Sequence, residues 1–295
     1  MSWPIIMHIN YFEQGQSIDE TCKKAVELGF DGIEFRRRRD SYVEEDEEYL
    51  DIISKSVLKY GLKHVIFGYP GPDLTLNEKE KRQVEIQNAV IFYKLAAERF
   101  KLTVCNTFSG LLLNPDKKVP YARFDRHGSF AASEKHWEWA SEGFEVLAEL
   151  AGALNFRLAF ETHMCFLHDL PVTAKKLVNM IGSPFVGINL DYGNIIYFKD
   201  ISKSKGSIPS IKDAIAFIGE HLFYIHLKNS VNGIKAWDRN GVDLGDGEIN
   251  HREYLRLLKE SGYNGPVCIE APRRGDREWY AKQDIDYVKS VINDI

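Results

Sequence analysis

Glu161 closes the apolar run FRLAFE, Asp191 closes VGINLD, His226 closes LFYIH and Glu270 closes GPVCIE. Three carboxylates and one imidazole form a donor set for one divalent ion; the carboxylates favour harder ions, so Mn is the first expectation, with Mg, Co or Zn as alternatives. The four lie tens of residues apart, too far for a zinc knuckle. That spacing suits single ligands from successive strand-and-helix units whose C-terminal ends meet around one cavity. Each residue alone would pass as an ordinary strand-end polar group; the set of four points to an enzyme.

An ion held this way can polarise a ketose carbonyl and bind the neighbouring hydroxyl, lowering the cost of a cis-enediolate. Glu161 and Glu270 would come from the fifth and eighth strands, three positions apart in an eight-strand ring. They could therefore address opposite faces of a planar intermediate, one removing a proton and the other returning it. Asp191 then anchors the ion, and His226 is a neutral ligand oriented by an acceptor on its other nitrogen.

Further residues are candidates for the same cavity. His163, two places after Glu161 in FETH, could donate to a substrate oxygen, and Lys228 shares side parity with His226. Arg273 could reach into the mouth with its forked donors. His8 and Asn10 after the first strand, Glu34 and Arg36 at the end of the second, and Asn106 at the end of the fourth could line the walls. His136, in SEKHWEW near the start of a helix, could overhang the pocket as an extra acid or base, or simply pack beside Trp137 and Trp139. The RRRR run at Arg36 to Arg39 is followed by EEDEE at Glu44 to Glu48, which could neutralise it, so no nucleic-acid surface is required.

Positioning such a set requires alternating elements, and the chain has them. Strand-length apolar runs fall near 5–9, 31–35, 62–67, 102–106, 156–160, 185–190, 222–227 and 265–269. Segments of helical period fall near 17–28, 46–60, 77–98, 134–152, 170–181, 208–219, 250–260 and 278–292. Ser17 with Glu20 reads as a capping box over an apolar stripe of Ile18, Cys22, Ala25 and Leu28, ended by Gly29. Asn250 with Glu253 repeats it before Tyr254, Leu257 and Leu258, with Gly262 after the last turn. Eight similar strands and no glycine-rich phosphate loop after the first favour closure into an α/β (β/α)8 barrel, one domain over 1–295. Long crossovers from Thr107 to Ser133 and from Asn229 to Ile249 would wall the pocket.

Composition is compatible with this. The 295 residues are 44% hydrophobic and 27% charged with a formal charge of −5, which gives no global attraction to nucleic acid or an anionic membrane. Cys22, Cys105, Cys165 and Cys268 are far apart without a CxxC pair, and the chain reads as free of disulfides, a leader or a membrane span. A reducing cytoplasm is the expected compartment.

DGIEFR, LAFETH, VGINLDYGN, YIHLKN, LGDGEIN and CIEAPR together resemble the xylose isomerase-like TIM barrel family, in its branch of sugar phosphate isomerases and epimerases. The resemblance covers nearly the whole chain. It implies Glu161, Asp191, His226 and Glu270 as metal ligands and Glu161 and Glu270 as the proton-transfer pair. Some ketose epimerases have a histidine where Asn194 stands here, so the resemblance leaves activity on a derivatised sugar open. It also implies alternatives: a keto-inositol dehydratase, or a lyase subunit acting on 3-oxo-C-glycosides, for which His136 would be the supporting residue and a second subunit a possible partner. The histidine-rich three-zinc arrangement of endonuclease IV-type enzymes is absent with nine histidines in all. A non-catalytic sugar-binding barrel would not need the four-residue set. The expected partner is a small carbohydrate, in a homo-oligomer.

Overall fold

The computed structural model describes residues 3–37, 44–69, 71–199, 208–232, 239–270 and 273–295. Eight parallel strands close into a barrel: β1 (Ile5–His8), β2 (Gly32–Arg36), β3 (His64–Tyr69), β4 (Val104–Thr107), β5 (Arg157–Glu161), β6 (Val186–Asp191), β7 (Leu222–Leu227) and β10 (Val267–Ile269). Two short strands, β8 (Ser230–Asn232) and β9 (Arg239–Gly241), pair antiparallel in the crossover after β7. The helices are α1 (Ile18–Leu28), α2 (Asp46–Tyr60), α3 (Lys79–Arg99), α4 (Glu134–Ala153), α5 (Pro171–Ile181), α6 (Tyr192–Ile195), α7 (Ile211–Ile218), α8 (His251–Glu260) and α9 (Arg277–Asp294). Every expected strand and helix is present; the hairpin and the single turn of α6 were not foreseen, because each is too short to show a period.

Local chemistry starts and stops these elements. The Ser17 hydroxyl accepts from the Glu20 amide at 3.2 Å, the Glu20 carboxylate accepts from the Ser17 amide at 2.8 Å, and Gly29 ends α1 at φ 87°. The second expected capping box is half made: Asn250 accepts from the Glu253 amide at 3.1 Å, without the return bond. All four cysteines are free and buried. Arg37 pairs with Asp46 at 2.9 Å, whereas Arg38 and Arg39 lie outside the described residues. No helix among the described residues is long and apolar enough to cross a membrane.

The period of two along each strand divides the barrel interior into layers. Ile6, Ile66, Val104, Ala159, Tyr224 and Cys268 form a buried cluster low in the barrel with Phe223. Two residues on, the same strands carry His8, Gly68, Asn106, Glu161, His226 and Glu270, so an apolar floor supports a polar layer at the C-terminal end. Gly68 has a purpose here, since a Cβ at that position would come within 2.8 Å of Glu34 Oε1. The β6–β7 register shifts between Ile188 and Asn189, and above the shift Asp191 stands beside His226.

Close strand packing makes certain glycines irreplaceable. A Cβ on Gly32 would sit 2.3 Å from the His64 carbonyl oxygen, a backbone atom that cannot swing away. Gly32→Ala is expected to cost about 1–3 kcal/mol or more, read as a lower urea midpoint at unchanged m-value. Gly245→Ala, whose Cβ would meet nothing nearer than 3.5 Å, should leave the midpoint near the parent value.

Candidate active site

Glu161, Asp191, His226 and Glu270 converge, each offering a ligand atom so that all lie within 4.8 Å of one another. His226 is the centre. Its Nδ1 stands 2.9 Å from Glu270 Oε2, 3.6 Å from Glu161 Oε2 and 4.0 Å from Asp191 Oδ2. Its Nε2 donates to Glu34 Oε2 at 2.8 Å, which fixes the ring and aims Nδ1 at the carboxylates. The acceptor expected on the other nitrogen of His226 is therefore Glu34, which is buried and does not line the cavity as a substrate contact.

Each carboxylate is held from behind. Asn106 Nδ2 donates to Glu161 Oε2 at 2.7 Å and to Glu34 Oε1 at 3.1 Å, while its Oδ1 accepts from Asn189 at 3.0 Å. Tyr224 donates its hydroxyl to Glu34 Oε2 at 2.8 Å. His168 fixes the end of β5, donating from Nδ1 to the Glu161 carbonyl at 2.5 Å and accepting the Ser109 amide on Nε2 at 3.1 Å. Asp191 caps α6 through the Asn194 amide at 3.0 Å, and Asn194 Nδ2 bridges Asp191 Oδ2 and Glu161 Oε1, both at 2.9 Å. Asn10 Nδ2 donates to Glu270 Oε1 at 3.2 Å, and His8 packs edge-on to His226 with its Nδ1 accepting the Asn10 amide.

The surroundings set the two glutamates apart. Burial pushes the Glu161 carboxyl up to about 8, with the charges of Glu270 and Asp191 adding to it against His226. Burial would also raise Glu270, but Lys228, His8 and His226 outweigh it and hold that carboxyl well below its ordinary range. Burial would lower His226, and Glu34 with Glu161 reverses this and raises it. Glu34 stays ionised at about 2 because His226 and His8 overcome its burial.

Of the other expected residues, Lys228 is in the site, with Nζ 2.9 Å from Asp191 Oδ2 and 3.2 Å from Glu270 Oε2. His163 is half-buried between Phe108 and Phe166, and burial followed by the Lys228 charge keeps it neutral. Its Nδ1 faces the Met164 carbonyl at 2.9 Å. That carbonyl takes the ring's one proton, so Nε2 can only accept; the expected donor role is corrected to acceptor.

Three expectations are corrected by placement. The Arg273 side chain is only 7% exposed and spans Asp284 at 2.7 Å and Asp243 at 2.6 Å, with its guanidinium over Tyr280. It clamps the crossover after β7 to α9. Arg36 is at the outer rim, pairing with Glu13 at 3.2 Å. His136 accepts the Ser133 amide on Nδ1 at 3.0 Å and packs against Trp139 at the start of α4, so that nitrogen serves the helix end. Asn194 and His168 were missed as site residues. LDYGN drew notice only as a departure, and nothing in MCFLHDL sets His168 apart by spacing.

The chain is thus a closed parallel barrel with a histidine and three carboxylates, a group that could hold a metal ion, at the C-terminal ends of four strands. The sequence signature of the Xylose isomerase-like TIM barrel family matches residues 22–291, and the chain belongs to that family. It is 22% identical to inosose dehydratase of Mesomycoplasma hyopneumoniae over 94% of this chain and 89% of that protein. A xylose isomerase-like TIM barrel protein of Mycobacterium smegmatis, crystallised in complex with magnesium, superposes with a TM-score of 0.74 at 19% identity, covering 99% of this chain and 97% of that one. D-psicose 3-epimerase of Clostridium cellulolyticum H10 superposes with a TM-score of 0.74 at 16% identity, over 98% and 99% of the two chains.

The donor set fits a divalent ion on its own chemistry: oxygens from buried Glu161 and Asp191 and half-buried Glu270, with one oriented imidazole nitrogen, all within 4.8 Å. Glu34→Gln should weaken ion binding by about 10–100-fold, because the amide cannot hold His226 as a carboxylate does; calorimetric titration with Mn checks this. Arg273→Met should instead cost about 3–5 kcal/mol of stability by stranding buried Asp284, measured by urea unfolding, with ion affinity unchanged.

Proposed function

We propose that this chain is a divalent-metal-dependent enzyme that moves a proton on the carbon beside the ketone of a small carbohydrate, as an isomerase or epimerase of a ketose or keto-sugar derivative. One observation carries the reading: Glu161 and Glu270, from strands three positions apart in the ring, meet over one imidazole nitrogen, at 3.6 and 2.9 Å. Glu161, Asp191, His226 and Glu270 would hold the ion, Mn first with Mg, Co or Zn as alternatives. When bound, it would supply Lewis acidity toward the ketone and its neighbouring hydroxyl.

The chain's own residues then divide the work. Glu270, flanked by Lys228 and Asn10, takes the carbon-bound proton, and the C–H electron pair passes into the enediolate. Glu161, held by Asn106 and Asn194, returns a proton from the opposite face, giving the epimer; return at the neighbouring carbon gives the isomer. His163 Nε2 accepts from a substrate hydroxyl.

Dehydration of a keto-inositol is the second reading, supported by the 22% identity to inosose dehydratase over 94% of the chain. It shares the proton removal by Glu270 and differs in expelling a hydroxide, for which the Lys228 ammonium is a proton source. The lyase reading on 3-oxo-C-glycosides has less support, because His136 accepts the Ser133 amide on Nδ1 at the start of α4.

Incubation of the Mn- or Co-loaded protein with ketoses and keto-inositols in deuterium oxide should put label beside the carbonyl. Glu270→Gln should lower that rate by about 10²–10⁴-fold with the fold intact, and Asp191→Asn should lose ion first. Label without mass loss supports epimerisation or isomerisation, and loss of water supports the dehydratase. Undiminished exchange in Glu270→Gln would overturn the assignment of the base.

A further inference from the structure

We propose that Lys228 is a tethered counter-cation that competes with the divalent ion for the same carboxylate oxygens, and so sets how tightly the ion is held. This rests on the four-ligand site proposed above. The Lys228 ammonium touches Asp191 Oδ2 at 2.9 Å and Glu270 Oε2 at 3.2 Å. Together with Glu161 Oε2, those two atoms are the carboxylate oxygens within 4.0 Å of His226 Nδ1, the nitrogen an ion would take. An ion at ordinary bonding distance, about 2.0–2.2 Å from these oxygens, would come within about 5 Å of the ammonium, where two positive charges repel strongly in a buried setting.

The local backbone is built to present this lysine. Its stem crosses Gly193, where a Cβ would lie 2.7 Å from Lys228 Cβ, so any larger residue would push the side chain away. His251 Nε2 donates to the Lys228 carbonyl at 3.2 Å and pins the chain at the end of β7. Asn194 Oδ1, which is not among the four ligand groups, gives the ammonium a third acceptor at 3.2 Å. With Lys228 seated, the metal-free ring of carboxylates is neutralised from within. When an ion enters, one cation replaces another, and the ammonium is left with Asn194 and free hydrogens for a ligand oxygen.

Lys228→Met and Lys228→Gln test this by Mn titration and thermal melting. Both variants should bind Mn at least tenfold more tightly than the parent. Without Mn they should melt lower, and with saturating Mn the gap should close. Affinity within twofold of the parent, or weaker, would overturn the proposal. Should the variants fold only with Mn, release to a chelator is timed instead: slower release than from the parent supports competition, and equal or faster release refutes it. The unaltered protein gives an independent reading, because acylation of Lys228, followed by peptide mass spectrometry, should run several-fold faster with Mn than without; an equal or slower rate counts against it. If neither parent nor variants bind an ion, the four-ligand site itself fails. If binding requires Asp191 but ignores Lys228, the counter-cation alone fails.

Discussion

Three carboxylates gathered within 4.8 Å of one another repel, and burial removes the water that would screen them. Everything around them answers that constraint. Positive charge arrives from two directions: the His226 ring, propped by Glu34, and the Lys228 ammonium, aimed from just past the end of the same strand. Hydrogen-bond donors complete the compensation, with Asn106, Asn194 and Asn10 each giving an amide N–H to a carboxylate. Asparagine suits this task because it offers donors without adding a charge that an incoming ion would have to oppose.

The barrel makes the gathering possible by geometry. Parallel strands in a closed ring bring their C-terminal ends together while the helices keep the connections outside. The period of two then lets one strand contribute to both floor and site: Tyr224 lies low and His226 above it on β7, and Cys268 and Glu270 stand in the same relation at β10. The register shift between β6 and β7 does specific work, since it sets Asp191 beside His226. Clamps farther out hold the walls, with Arg273 tying the crossover after β7 to α9 and Asn229 satisfying the Leu244 and Ile249 carbonyls inside that crossover.

Much of this was legible in the chain because it depends on periods. The alternation of strand and helix, the cap of Ser17 and the four strand-end donors all leave repeating or positional marks. What was not legible depends on approach between distant segments. Arg273 lies three residues past Glu270, a spacing that fits a pocket arm as well as a clamp, and only the arrival of Asp284 and Asp243 decides it. His136 is similar: its position near a long loop fits an overhanging acid, while the bond from the Ser133 amide shows a helix cap. His168 orients the end of β5 through bonds to Glu161 and Ser109 that no spacing encodes.

The polar groups left over define what the cavity asks of a ligand. His163 spends its proton on the Met164 carbonyl, so its free nitrogen asks for a hydroxyl donor. Lys228 has donors only, and Asp191, Glu270 and Asn194 take them, so a ligand oxygen gains the ammonium as one of these is given up. Asn10 Oδ1 is buried without a partner beside Glu270, a second acceptor in want of a donor. Two acceptors for hydroxyls and one cation for an oxygen, set around a pair of carboxylates, suit the hydroxyls and oxygens of a small carbohydrate.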